Sequence, residues 1–278
     1  MVCTEFDGGI KVSGVTDLDL AQTLDCGQSF RWVEQEDKSF IGVAYGKCVT
    51  VSLDGTDLYI ENATKEDFEK IWFDYFDLSL DYGKIREEIS RIHPVLEEAA
   101  KYAPGIRILR QEPYEALCTF IISQNNNIKR IKGIVGRLCE NFGEKIKENT
   151  YAFPTAQKMA QLTAEDLAPL RAGFRNRYLI DAAKKVAGGE VDLEKCRTAD
   201  YEEARKELTK ITGVGVKVAD CTLLFGMHRV EAFPVDVWMK RAMEKLFPDM
   251  TPDDFGEWAG IAQQYIFHYS RMHSELFL

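Results

Sequence analysis

Two hydrophobic rhythms divide the chain. Between residues 10 and 60 the apolar residues come in short runs, at 10–12, 30–33, 40–45, 48–51 and 58–60. Turn-prone Asp37-Lys38, Tyr45-Gly46 and Asp54-Gly55-Thr56-Asp57 separate them. That spacing predicts an antiparallel meander. From Lys65 onward the pattern is helical. Residues 65–71 open one helix, and residues 113–139 read as two more with a break at 124–127. Pro154-Thr155, Ala172-Gly173-Phe174, Gly188-Gly189 and Gly213-Val214-Gly215 punctuate later helices. The expected class is α+β, with a small antiparallel β-rich N-terminal domain over residues 1–100 and a predominantly α-helical domain over 101–278. Pro94 and Pro104-Gly105 are mild breakers, so the boundary is expected within residues 90–105.

Composition narrows the function classes. The 278 residues, 45% hydrophobic and 29% charged, are enough to bury a sizeable core and exclude a disordered or collagen-like chain. No apolar run approaches the ~20 residues of a membrane span. The start, Met1-Val2-Cys3-Thr4-Glu5-Phe6-Asp7, is acidic without an apolar stretch, so no secretory signal is expected. Seven dispersed cysteines (3, 26, 48, 118, 139, 196 and 221) contain no CxxC pair. They fit reduced thiols of an intracellular, cytoplasmic protein, nucleoid-associated if prokaryotic, rather than a disulfide or cysteine–metal framework. Four scattered histidines add no metal signature.

A net charge of −10 speaks against a nucleic-acid partner until its distribution is read. Residues 1–100 hold 9 Lys+Arg against 21 Asp+Glu, a balance of −12. Residues 101–217 hold 21 against 15, a balance of +6. The acidity belongs to the N-terminal third, and a mildly basic surface follows it.

The most informative stretch is Leu208-Thr209-Lys210-Ile211-Thr212-Gly213-Val214-Gly215-Val216-Lys217-Val218-Ala219-Asp220. A dinucleotide fingerprint would need glycine at Val218 and a preceding strand. Instead, a helix that ends at Gly213-Val214-Gly215 and restarts at once predicts a helix-hairpin-helix over about residues 206–225. Two glycines permit the tight turn and expose unpaired N–H groups at the second helix. Those groups suit a phosphate without reading sequence. A plain glycine-rich junction is the rival reading. Next comes Phe233-Pro234-Val235-Asp236-Val237-Trp238, in which Asp236 is placed as a helix N-cap.

A lysine opening the helix after the hairpin, followed about one helix later by Pro-Val-Asp, resembles the catalytic layout of the helix-hairpin-helix (HhH-GPD) DNA glycosylases. The chain is most similar to their 8-oxoguanine DNA glycosylase/AP lyase family. Gly27-Gln28-Ser29-Phe30-Arg31-Trp32, Leu109-Arg110-Gln111-Glu112-Pro113, Ser123-Gln124-Asn125-Asn126-Asn127-Ile128-Lys129-Arg130-Ile131, the hairpin through Cys221, the Pro-Val-Asp and Gln263 with Phe267 carry the resemblance in order.

The resemblance implies base-excision repair of double-stranded DNA containing oxidised guanine paired with cytosine. A base must leave the duplex before its sugar can be attacked. Lys217, at a helix N-terminus and partly desolvated, should lose its proton more easily than an ordinary lysine. It would attack C1′, displace the base and form a Schiff base, and β-elimination would cut the strand. Asp236 would orient the lysine and stabilise positive charge on the sugar. Cys221 shares a helix face with Lys217, and Phe267 follows Gln263 at the same spacing. By resemblance, Cys221 and Phe267 sandwich the purine, Gln263 meets its Watson–Crick edge, and the Gly27 carbonyl accepts N7–H, which guanine lacks. Asn125 would fill the gap beside the orphan cytosine, Arg130 and Arg175 would grip that cytosine, and Phe174 would wedge beside it. Gly213 and Gly215 would hold the DNA backbone.

Without the resemblance, core packing suits Cys221 and Phe267, and a solvated or phosphate-facing role suits the arginines. Two positions depart from the family pattern. Phe174 stands where tyrosine is common, which removes a hydroxyl. Trp238 stands where histidine is common, which alters a local phosphate contact and the pH behaviour of the site. No cofactor is expected, although the resemblance allows a structural ion on hairpin carbonyls. A monomer without membrane contact is expected. The alternatives are a glycosylase for alkylated purines or oxidised pyrimidines and a non-enzymatic DNA-binding module. The lack of a C-terminal cysteine cluster and the presence of Lys217 weigh against the first.

Overall fold

A computed structural model of the chain describes residues 1–277. β1 (Val2–Phe6), β2 (Gly9–Ser13), β3 (Trp32–Glu34), β4 (Phe40–Ala44), β5 (Lys47–Asp54) and β6 (Asp57–Glu61) form one antiparallel sheet in the order β1-β2-β6-β5-β4-β3. Tight turns set the register. Ala44 pairs with Lys47 around Tyr45-Gly46, whose φ values of 51° and 69° give the left-handed pair that matches strand twist. β1 lies outside the expected strands. It is an edge strand exposed at every residue but Cys3, so no apolar alternation marks it.

The sheet buries Ile10, Val12, Val49, Val51, Leu58 and Ile60 against an aromatic cluster. That cluster comes from helical residues Lys65–Asp67, Phe68–Trp72 and Phe73–Tyr75, where a π turn interrupts the α pattern. Trp32 packs among Trp72, Tyr75 and Phe76, and its indole N–H donates to the Tyr75 hydroxyl at 2.7 Å. Its partner across the strand is Gly42, where any side chain would enter the indole ring.

Helices Tyr82–Ser90 and Pro94–Tyr102, both starting before residue 101, pack into the second core; Phe30 also joins that core and Leu109 returns to the first. Proline explains the difference. Pro94 occupies the first turn of its helix, where it starts an element without ending a domain. The second core is built on two central helices. Pro113–Ser123 is buried from Glu115 to Ile122, and Val216–Met227 is buried from Val218 onward. They approach closely because Gly226 has no side chain. A Cβ there would lie 2.9 Å from the Ala116 Cβ and 3.1 Å from the Pro113 Cα. No helix among the described residues is long and apolar enough to cross a membrane.

Buried polar groups join the cores. Gln28 is fully buried, donates to the carbonyls of Thr23 (2.8 Å) and Arg107 (2.7 Å), and accepts from Leu109 N–H (2.9 Å). It pins the loop that carries Gly27. Asp77, also fully buried, accepts from the Tyr82 hydroxyl (2.8 Å) and Arg110 Nε (3.0 Å) and lies 2.9 Å from His228 Nε2. His228 closes the Val216–Met227 helix in a left-handed conformation, φ 55°.

Burial alone would raise the Asp77 carboxyl, but His228 and Arg110 outweigh it and hold the group below its ordinary value. A depressed carboxylate stabilises the fold above the unfolded pKa of about 3.9 and loses that contribution as pH falls through the lower folded value. Asp77→Asn keeps the left-handed backbone, which asparagine tolerates. It is expected to cost about 1.5–3 kcal/mol at pH 7, with the gap from wild type shrinking towards pH 3. Urea unfolding across that pH range checks it, and a pH-independent gap would contradict it.

Candidate active site

The helix of Val216–Met227 begins after a hairpin whose two glycines do different jobs. Gly213 has φ 79°, and a Cβ there would run into the Tyr178 ring. Gly215 is extended, φ −95°, with open space where a side chain would be, and it caps the helix without a side-chain hydrogen bond. The left-handed turn therefore needs only Gly213. Gly215 instead leaves the first N–H groups of the helix uncovered. The hairpin carbonyls of Lys210 and Ile211 already accept from Lys185 Nζ (2.6 Å) and Val214 N–H (3.0 Å). Each of these carbonyls keeps a second lone pair.

Lys217 stands in the first helical turn, half-buried. Its Nζ donates to Ser123 Oγ at 3.2 Å and lies 5.5 Å from the centroid of the Phe120 ring. Asp236 caps helix Val237–Leu246, with Oδ1 accepting from Met239 N–H at 2.7 Å. Oδ2 makes no hydrogen bond among the described residues. Capping therefore occupies one carboxylate oxygen and leaves the other for chemistry.

A cavity of about 300 Å³ gathers Gly27, Lys217, Cys221, Asp236, Gln263 and Phe267. Gly27 has φ 92°, and a Cβ there would reach Phe267 and Ile128 at 3.4 and 3.6 Å. Cys221 is 3% exposed, and burial pushes its thiol up to about 11, so it presents an uncharged, polarizable surface. Gln263 is 5% exposed, and its buried Oε1 has no partner among the described residues. Its neighbour Gln264 donates to the Cys26 carbonyl at 3.2 Å, tying helix Ala259–Met272 to the Gly27 loop. A second cavity of about 610 Å³ shares Ser123, Asn126, Lys217, Asp236 and Trp238 and adds Asn125, Gly215 and Arg241.

The three asparagines divide the work of the break. Asn126 donates to the Ile122 carbonyl (3.1 Å), and Asn127 caps helix Ile128–Phe142 by accepting from Arg130 N–H (3.0 Å). Asn125 is exposed with φ 45°, and its side chain has no hydrogen bond among the described residues. Arg175 is not free to reach outward as expected. It is 3% exposed and donates to the carbonyls of Ala172 (3.0 Å), Asn125 (3.1 Å) and Gln124, which leaves at most one N–H. It braces the asparagine turn. Arg130 is exposed and makes one long contact, 3.5 Å to the Arg171 carbonyl. Phe174 is 53% exposed beside Tyr178, 5.5 Å between ring centroids.

Ser123, Gln264 and Arg271 were not singled out as site residues from the sequence. For Arg271 a signal existed, since it continues the Gln263, Phe267 spacing by another four residues. Trp238, the departure noted above, donates to Ser270 Oγ at 2.8 Å and lines both cavities.

The two arginines beside the turn are expected to separate cleanly by stability. Arg175→Ala leaves buried carbonyls without donors and should cost about 1–3 kcal/mol. Arg130→Ala should change stability by less than about 0.5 kcal/mol. Urea denaturation of both variants measures this, and equal effects would contradict the brace.

Residues 12–117 match the 8-oxoguanine DNA glycosylase, N-terminal domain, and residues 118–254 match the HhH-GPD superfamily base excision DNA repair protein. An N-glycosylase/DNA lyase of Saccharomyces cerevisiae is 31% identical over 264 residues, covering 83% of this chain and 68% of that protein. The 8-oxoguanine glycosylase/lyase of Clostridium acetobutylicum has been solved with double-stranded DNA containing cytosine opposite 8-oxoG. It is 40% identical, with a TM-score of 0.93 and 99% of each chain covered. MBOgg1, solved in complex with a low affinity DNA ligand, is 44% identical with a TM-score of 0.94, covering 98% of this chain and 99% of that one. With both parts matched in order and the yeast relative similar over most of its length, the chain belongs to the 8-oxoguanine DNA glycosylase family of the HhH-GPD superfamily.

Proposed function

We propose that this protein is a bifunctional DNA glycosylase/AP lyase that removes 8-oxoguanine paired with cytosine. One observation carries the reading: a single cavity gathers a lysine amine, a carboxylate and a purine-sized slot with an unsatisfied amide oxygen. A purine swung into the slot lies between Cys221 and Phe267. Gln263 Oε1 accepts from its pairing edge, gaining a hydrogen bond that no protein group supplies among the described residues. The Gly27 carbonyl accepts N7–H, the hydrogen that separates the oxidised purine from guanine.

At the mouth, the amine of Lys217 attacks C1′. The C1′–N9 bond breaks, and its electron pair and a proton leave with the base. A proton taken up by O4′ opens the sugar ring and gives the protonated Schiff base, and abstraction of a C2′ proton then expels the 3′ phosphate by β-elimination. Ser123 Oγ holds the amine by one N–H. The free oxygen of Asp236 stabilises the positive charge that develops on the sugar. Asn125 and Phe174 fill the gap in the duplex, and Arg130 reads the orphan cytosine from the turn that Arg175 braces. The uncovered N–H groups after Gly215 hold a phosphate. The reading takes the enzyme as a monomer working on intracellular DNA.

Lys217→Gln is expected to abolish the borohydride-trapped adduct and slow base release by more than about 10³-fold while retaining lesion binding. Asp236→Asn is expected to keep the cap, with stability within about 0.5 kcal/mol of wild type, and slow base release by about 10²-fold. Single-turnover assays with borohydride trapping measure both, and normal turnover by the Lys217 variant would overturn the mechanism.

For Arg130→Ala, single-turnover cleavage against all four opposite bases should narrow the preference for cytosine by about 1–3 kcal/mol. A uniform loss across the four bases, with a flattened salt dependence, would make Arg130 a phosphate contact instead.

A further inference from the structure

The helix that supplies Gln263 and Phe267 sends a third side chain to the same cavity. Arg271 lies one turn beyond Phe267 and two beyond Gln263, so the three share a helix face. Helical side chains lean towards the N-terminus of their helix, which lays Arg271 back over Phe267. Its guanidinium carbon is 5.4 Å from the Phe267 ring centroid, and Nη1 is 3.6 Å from the position a Gly27 Cβ would take. Arg271 is exposed and has no carboxylate partner or hydrogen bond among the described residues.

We propose that Arg271 is the phosphate clamp of the lesion pocket, gripping a phosphate that flanks the extruded nucleotide. This rests on the reading of the pocket as an oxidised-purine site and adds a second phosphate contact, on the Phe267 side of the pocket, to the one given to the N–H groups after Gly215. Gln263 on the floor takes the pairing edge, Cys221 and Phe267 take the two faces, and Gly27 takes the N7 edge. What remains at the mouth is sugar and phosphate. Trp238 offers no free donor there, because its indole N–H is already given to Ser270. Lys217 Nζ is held on Ser123 for attack at C1′. Arg271 is therefore the unengaged cation on the C-terminal helix's side of the mouth. A planar guanidinium takes two phosphate oxygens at once, and stacking on Phe267 keeps the fork ordered before DNA arrives.

The test measures binding by fluorescence anisotropy in the Lys217→Gln protein, on an 8-oxoguanine·cytosine duplex and an undamaged duplex, from 50 to 200 mM salt. Adding Arg271→Ala is expected to weaken lesion binding about five- to tenfold at the low-salt end. It should also reduce the slope of log affinity against log salt by about 0.9, the value for one phosphate contact. Arg271→Lys should restore the slope, and the undamaged duplex should show no change because nothing enters the pocket. An unchanged slope overturns the proposal. If lesion discrimination is lost at that unchanged slope, Arg271 reads the base, and if nothing changes it is solvated surface. Failure of the Lys217→Gln parent to prefer the lesion duplex would overturn the reading of the pocket itself, and the clamp with it.

Discussion

The close contact between the Pro113–Ser123 and Val216–Met227 helices governs the rest of the site. At one end Gly226 lets the backbones meet at Ala116 and Pro113. At the other, the same crossing sets Lys217 Nζ beside Ser123 Oγ, a pair 94 residues apart in the chain. A methyl group at position 226 would push the helices apart, at a packing cost of about 1–3 kcal/mol. The chemical effect would be larger than the energetic one, since a misplacement of about 1 Å can cost on the order of 10²-fold in rate. The far end of the lysine helix is held as well, through His228 on the buried Asp77 carboxylate. The β-rich part thus fixes the rear of the helix that carries Lys217.

Polar groups in the interior differ in how far the protein itself satisfies them. Gln28 and Arg175 make several hydrogen bonds each, Gln28 to backbone of Thr23, Arg107 and Leu109 and Arg175 to backbone of Ala172, Gln124 and Asn125. Gln263 does not. Its buried Oε1 is left unpaired in a cavity with apolar faces on either side. An unmet buried acceptor costs about 1–3 kcal/mol, so a ligand edge that donates to it gains that much selectivity over one that does not. The neutral Cys221 thiol suits the neighbouring wall, because a thiolate there would repel the electron-rich face of an oxidised purine.

Charge follows the same local logic. The net −10 describes the whole molecule, yet Arg241 and Arg271 line the cavities and Arg130 follows the asparagine turn, all three without carboxylate partners among the described residues. Many other lysines and arginines are paired within one helical turn, as in Lys70–Glu66, Lys101–Glu97 and Lys240–Glu244. Unpaired cations, rather than total charge, create the field that a phosphate backbone meets.

Much of this was legible in the sequence. Alternation and turn residues marked five of the six strands of the large sheet, glycines and prolines marked the helix breaks, and the order of short motifs marked Lys217, Asp236, Cys221, Gln263 and Phe267, which line one cavity. These features are local, so a window of a few residues contains them. β1 was missed because an exposed edge strand carries no alternation, and the core boundary was displaced because Pro94 begins a helix instead of ending a domain. The roles of the arginines lay beyond any local pattern. Arg130 and Arg175 look alike in the sequence, yet one is exposed and the other is buried under the carbonyls of Gln124 and Asn125. Hydrogen-bond partners about fifty residues away decide that difference, and only the packing of the helices brings them within reach.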